Sequence, residues 1–154
     1  MVNSLLLEAF NEVFKPLGFR KKSASWYRVS GDLYCVVAVQ ESSWDESCYV
    51  NVGFAPAAHV KAGWLPEVKC LVRFRADAIT SISREDLDLL CGQAAETCGE
   101  DFLRMGLVEK IATPVARAVN PIGSIQGLKS LLRSRVSDQV FIHREFRGEL
   151  VEEG

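Results

Sequence analysis

Between Gly18 and Phe54 the apolar side chains recur at every second position, in three short runs parted by polar turns. This period constrains the chain more than any other feature, because side chains that alternate between two environments require a pleated strand with one buried face. Residues 19–29 are a basic, aromatic run that stops at Ser30-Gly31-Asp32, a turn composition. Residues 33–40 are almost continuously apolar, as a central strand covered on both sides would be. Residues 48–55 alternate: Cys48, Val50, Val52 and Phe54 point one way, and Tyr49, Asn51 and Gly53 the other. Three successive antiparallel strands follow from these runs. A fourth is expected at residues 70–76, with Cys70, Val72 and Phe74 on one face and Leu71, Arg73 and Arg75 on the other. The connection before it, residues 56–69, holds Pro56, Gly63 and Pro66 and reads as an excursion over the surface.

On either side of this region the period changes from two to that of a helix. Leu6, Ala9, Phe10, Val13, Phe14 and Leu17 form an amphipathic stripe that Pro16 and Gly18 end. After the strands, Ser83 and Asp86 resemble a capping box. Leu87, Leu90, Cys91, Ala94, Cys98, Phe102 and Met105 carry a stripe up to Gly106, a natural terminating glycine, although Gly92 and Gly99 invite a break within it. Val108, Ile111, Ala112, Val115 and Val119 make the next stripe, which Pro114 either kinks or restarts with Thr113 as cap. Ser124 caps a last helix through Ile125, Leu128, Leu131 and Leu132. Residues 138–154 fit a strand as well as a fraying helix and are read as a loosely attached tail of a single domain spanning 1–154.

Several motifs within these elements resemble one bacterial family. They are Gly18-Phe19-Arg20-Lys21-Lys22, the pair Trp26-Tyr27, Val39-Gln40-Glu41-Ser42, and Tyr49-Val50-Asn51-Val52-Gly53. Weaker agreement continues at Cys70-Leu71-Val72-Arg73 and Thr113-Pro114-Val115. Together they resemble the domain of unknown function 4304. That family often has Gln-Lys-Ser where this chain has Gln40-Glu41-Ser42, and a glycine after the basic pair where this chain has Ser23-Ala24. The resemblance implies an α+β fold with an antiparallel sheet and C-terminal helices. It implies no catalytic residue. Some members resemble neighbours of bacterial toxin systems, which implies an immunity-like binding role as one expectation.

The charge balance narrows the classes of function. With 18 basic and 20 acidic residues the net charge is −2, which argues against binding nucleic acid through bulk charge. No apolar run approaches the roughly 20 residues of a membrane span, and Glu8, Asn11 and Glu12 break the first apolar segment, so no signal peptide is expected. The five cysteines, Cys35, Cys48, Cys70, Cys91 and Cys98, form no Cys-x-x-Cys pair and read as reduced, buried thiols of a cytoplasmic protein. Only two histidines, His59 and His143, are present, and they lie far apart in sequence. No nucleophile elbow, phosphate-binding glycine loop or zinc-helix motif occurs. No metal and no cofactor are implied.

The candidate site follows from the strand alternation. If Val50, Val52, Val72 and Phe74 pack on helices, then Tyr49, Asn51, Arg73 and Arg75 share the other face. Gln40, and Trp26 or Arg28 of the first strand, join them where the registers allow. Arginines on such a face grip carboxylates or phosphates and aromatic rings offer planar contact. The plainer alternative is a solvated sheet face whose polar pairs only stabilise the fold. Arg20-Lys21-Lys22 reads as a basic guard on an edge strand, or as an anion contact. Trp44, Asp45 and Glu46 mark a polar hairpin loop.

The expected architecture is therefore an N-terminal helix, an antiparallel sheet of about four strands, and two to three C-terminal helices packed on one face. The expected function is a non-catalytic binding module for a protein or an anionic ligand. The alternatives are a small enzyme with a pocket near His59 and a nucleic-acid accessory domain. Salt-steep affinity for oligonucleotides would mark the last. Neither a membrane partner nor a particular oligomeric state is implied.

Overall fold

A computed structural model describes residues 4–41, 48–80, 82, 85–86, 99–135 and 140–143. The capping box at Ser83, the stripe over residues 87–98 with Cys91 and Cys98, the hairpin loop 42–47 and the end of the tail lie outside the described residues.

Helix α1 (Ser4–Phe14) comes first and buries Leu6, Ala9, Phe10 and Phe14, the stripe its sequence carries. A single 3-10 turn with Pro16 follows, and Gly18 closes it in the left-handed conformation at φ 90°. Six strands then form one antiparallel sheet in simple sequence order: β1 (Arg20–Lys22), β2 (Ser25–Ser30), β3 (Leu33–Glu41), β4 (Cys48–Pro56), β5 (Val72–Arg75) and β6 (Phe141–Ile142). The fold is α+β, with six strands rather than about four. One extra strand arises because the run 19–29 folds back on itself at Ser23-Ala24, where Ser23 takes φ 55°, so that Lys22 pairs with Ser25. The other is the short edge strand from the tail, pairing Phe141 with Arg73.

Helix α2 (Glu100–Leu107) runs through a π-helical turn (Val108–Ala112) into α3 (Thr113–Val119), and α4 (Ile125–Arg135) follows. Two expectations change here. Gly106 does not end a helix but lies inside α2, and the buried positions of α2 are Leu103 and Leu107, while Phe102 and Met105 are exposed. The cause is Gly99, which is extended at ψ 152° and starts a new helix at Glu100, so an upstream stripe does not fix the rotation of α2. Pro114 neither kinks the chain sharply nor restarts it from a Thr113 cap, since Thr113 is itself helical at φ −64°. The wider π turn sits directly before the proline, whose missing N–H and bulky ring would break a regular ladder.

The helices cover one face of the sheet. Val37, Val52, Phe54, Val72 and Phe74 meet Phe10, Leu107, Ile111, Val115 and Leu128 in one buried cluster. Trp26 is fully buried among them, stacked 5.4 Å from Phe10, with its indole N–H donating to Asn11 Oδ1 at 3.2 Å. The turn between β2 and β3 fastens the far helix. Asp32 Oδ1 accepts from the backbone N–H of Ile125 at 2.9 Å, and Ser124 Oγ accepts from Gly127 N–H at 3.0 Å, so α4 has two capping oxygens.

The excursion, residues 57–71, packs on part of the opposite face. Tyr34, Val36, Ala55 and Cys70 make a second buried cluster, flanked by Tyr27, Val60, Trp64 and Leu65. The Tyr34 hydroxyl donates to Leu65 O at 2.8 Å and accepts from Leu65 N–H at 3.0 Å, so it fixes the excursion to the sheet. Cys70 departs from the alternation expected of it. It precedes β5 and arrives from the excursion side, pressed against Gly53. A Cβ at Gly53 would lie 2.8 Å from Cys70 Sγ and 2.9 Å from its Cβ, closer than real side chains approach. Among the described residues no helix is long and apolar enough to cross a membrane.

Two substitutions test this arrangement. Asp32→Ala removes a cap and is expected to cost about 1 kcal/mol in urea unfolding. Gly53→Ala forces β4 and Cys70 apart and is expected to cost about 1–3 kcal/mol. A stability equal to the parent's in either variant would contradict the corresponding contact.

Candidate functional site

Beyond the excursion, the outer face of β3, β4 and β5 carries polar and aromatic side chains. The registers pair Gln40 with Tyr49, Ala38 with Asn51, Asn51 with Arg75, Gly53 with Arg73, and Arg73 with Phe141. Five of the seven candidate residues, Gln40, Tyr49, Asn51, Arg73 and Arg75, therefore stand on one face. Gln40, Asn51, Arg73 and Arg75 border a shallow depression of about 300 Å³, whose wall also includes Glu67, Phe74 and Phe141.

Each side chain has a defined role in that geometry. Asn51 is nearly buried, and its Nδ2 donates to Gln40 Oε1 at 2.7 Å, a diagonal cross-strand pair. The Arg75 guanidinium lies 4.0 Å from the centre of the Tyr49 ring, within range of the attraction between a cation and the negative face of an aromatic ring. Arg75 itself is exposed, at the open end of β5. Arg73 is more constrained: its Nε donates to Glu67 Oε1 at 3.1 Å, and its guanidinium sits 5.7 Å from the Phe141 ring. Glu67 is 8% exposed, so removing Arg73 would leave a nearly buried carboxylate without its cation. Nothing in the periodicity marks Glu67, which is held in a 3-10 turn after Pro66. Phe141 was equally invisible, since its strand is two residues long.

Trp26 and Arg28 are not on this face. Trp26 pairs with Val37 and Arg28 with Cys35, and those partners point to the helices. The aromatic residue serves the core. The guanidinium of Arg28 lies 4.4 Å from the Phe19 ring and links three elements: Nη1 donates to Leu17 O at 3.1 Å and to Asn120 Oδ1 at 2.8 Å, and Nη2 donates to Asn120 O at 3.2 Å. A strand arginine facing the helix layer has no signal in an alternating pattern, because the pattern assigns polar residues outward.

The remaining reactive groups are placed as follows. Cys35, Cys48 and Cys70 are buried. Burial pushes the Cys35 thiol up to about 12 despite the nearby Arg28 charge, and it raises the Cys70 thiol strongly as well. Such thiols are poor nucleophiles near neutral pH. His59 is exposed on a 3-10 turn (Ala57–His59) and is in the wall of neither the depression above nor a second one at the β2 edge. Among the described residues no three His, Cys, Asp or Glu side chains gather as a metal would need.

The family model of the domain of unknown function 4304 matches residues 10–101, more than half of the chain. The chain belongs to that family. The five outer-face residues and the excursion that borders them all lie within the part matched by domain of unknown function 4304, whereas α3 and α4 lie beyond it. Comparison with curated proteins and with solved structures gives no match.

The buried thiols give this domain a pH dependence with a definite sign. Cys35 has its folded pKa raised from 9.0 to about 12, so its contribution is complete below pH 9 and is lost as pH rises toward 12. Cys70 and Tyr34 are shifted in the same direction by burial. Stability measured by urea unfolding is expected to fall with rising pH above 9, and to fall less steeply in Cys35→Ala. An unchanged slope in that variant would show that the thiol is not held protonated by the fold.

Proposed function

We propose that the chain is a non-catalytic binding module whose outer sheet face receives an acidic segment of a partner protein. The observation that carries this reading is the exposed Arg75 guanidinium laid on the Tyr49 ring, beside the Asn51–Gln40 amide pair. A guanidinium held over an aromatic ring loses little freedom when it meets a carboxylate, and its fork geometry suits one. The amide pair offers hydrogen bonds to a peptide backbone, and the apolar edge of Phe141, half-exposed, widens the contact. Arg73 contributes field more than a free donor, because Glu67 already occupies its Nε.

The high proton affinity of Cys35 and Cys70 and the position of His59 outside both depressions support binding over catalysis. The free, buried thiols of Cys35 and Cys70 support action in a reducing compartment such as the cytoplasm. Capture of a toxin by an immunity-like domain is one instance of the same reading.

Arg75 is the residue to change, because it is exposed and Arg73 is tied to Glu67. In affinity capture from the native host's lysate, a partner enriched on the parent chain should drop by roughly tenfold or more on Arg75→Glu. Arg104→Glu, which alters an exposed ion pair to Glu12 on the helix side, should leave capture unchanged. Equal recovery on the Arg75→Glu bait, at an unaltered melting temperature, would sink the proposal.

A further inference from the structure

The depression on the outer face holds two hydrogen-bond acceptors that the described chain leaves unused. Asn51 is 8% exposed and lies in the wall, and its side chain makes one bond, from Nδ2 to Gln40 Oε1. Glu67, also 8% exposed and in the same wall, accepts from Arg73 Nε through Oε1. Among the described residues, Asn51 Oδ1 and Glu67 Oε2 therefore have no donor. Neither is sealed within the fold, since the side-chain polar atom fully buried without a partner among those residues is Arg28 Nε. Nearly buried polar groups are seldom left unmet in folded proteins.

The strand registers bring these acceptors beside a cation. Asn51 pairs directly with Arg75, which places their Cβ atoms about 5 Å apart on one face. Arg73 pairs with Gly53, two residues along the same face, and carries Glu67 with it. Three of the described wall residues are charged: Glu67, Arg73 and Arg75. The 3.1 Å contact sets Glu67 against Arg73, which leaves the charge of Arg75 to be met from outside. A carboxylate meets it with one negative charge. A phosphate ester brings close to two near neutral pH, so that the second falls beside Glu67. Its terminal oxygens are acceptors, which leave Asn51 Oδ1 and Glu67 Oε2 unmet.

We propose that Glu67 and Asn51 set the specificity of this depression, so that it takes an aspartate or glutamate with a backbone N–H beside it and rejects a phosphorylated residue. The inference rests on the reception of an acidic segment by this face. Arg75 holds the carboxylate, and Asn51 Oδ1 and Glu67 Oε2 receive N–H groups of the segment's backbone.

Nuclear magnetic resonance titration of the labelled chain near neutral pH tests the assignment with three blocked residues. They are N-acetyl-aspartate N′-methylamide, the same compound methylated at the aspartate nitrogen, and N-acetyl-phosphoserine N′-methylamide. The aspartate compound should give saturable shifts at the Asn51 and Gln40 side-chain amides and the Arg75 backbone amide, and Arg75→Glu should remove them. Methylation deletes one donor and should weaken binding by roughly fivefold or more. The phosphoserine compound should bind the parent chain more weakly than the aspartate compound by a similar factor. In Glu67→Gln, which keeps an oxygen for Arg73 Nε but loses the charge, that preference should shrink or reverse. A parent chain that binds the phosphoserine or the methylated compound as tightly as the aspartate one would overturn the specificity. The acidic-segment reading would still stand if Arg75→Glu abolished the shifts. An unchanged preference in a folded Glu67→Gln would remove Glu67 from its role, and if that variant does not fold, the three affinities of the parent chain decide. No saturable shift from the aspartate compound would also overturn the specificity, whereas capture on the Arg75→Glu bait judges the broader reading separately.

Discussion

The hydroxyl of Tyr34 determines what the outer side of the sheet becomes. It both donates to and accepts from the Leu65 backbone, which satisfies a polar group buried near the start of β3. In doing so it fixes where the excursion stops. From that anchor follow the seating of Cys70 against Gly53 and the placement of Glu67 beneath Arg73. The outer side of the sheet thus has a dry part and a polar part, and the border between them is set by one phenol. Ionising that phenol would remove its donor, which agrees with the upward push that burial exerts on its pKa.

The inner side is organised by contacts of a different kind. Trp26, Phe10, Phe14 and Phe19 form a continuous run of rings, with centroids 5.0–5.5 Å apart at each step. Its last ring lies under the Arg28 guanidinium. Ring packing therefore orients a cation, the cation holds the end of α3 through Asn120, and Asp32 holds the start of α4. Burial provides the bulk of the attraction between layers. These few polar contacts set the position in which the helices rest.

Much of this architecture can be read from the sequence because alternation and helical stripes each record one buried face. The stripe of α1 and the two faces of β4 are where their periods put them, and Ser124 caps α4 as its residue type suggests. The failures share a physical origin. Arg28 faces the helices because three oxygens and an aromatic ring receive it there, and a pattern of apolar and polar letters has no record of those partners. Glu67 meets Arg73 through the fold of an irregular excursion, not through any period. In α2 the rotation set at Gly99 decides that Leu103 and Leu107 turn inward, whereas the stripe favours Phe102 and Met105. Of the candidate surface, the residues on β3, β4 and β5 were legible and those on β2 were not, since Trp26 and Arg28 are drawn to the helix side by partners there.

The corner where Arg28 meets Asn120, and Asp32 meets Ile125, joins positions 92 and 93 residues apart. The region matched by the family model ends at residue 101, so Asn120 and Ile125, the far partners at that corner, come from chain beyond it. A fragment cut there would keep β1 to β5 but lose β6 and expose the sides of Phe54 and Val72 that Ile111, Val115 and Leu128 now shield. The dryness of the sheet's inner face is thus a property of the chain on both sides of residue 101, and the matched region cannot supply it alone.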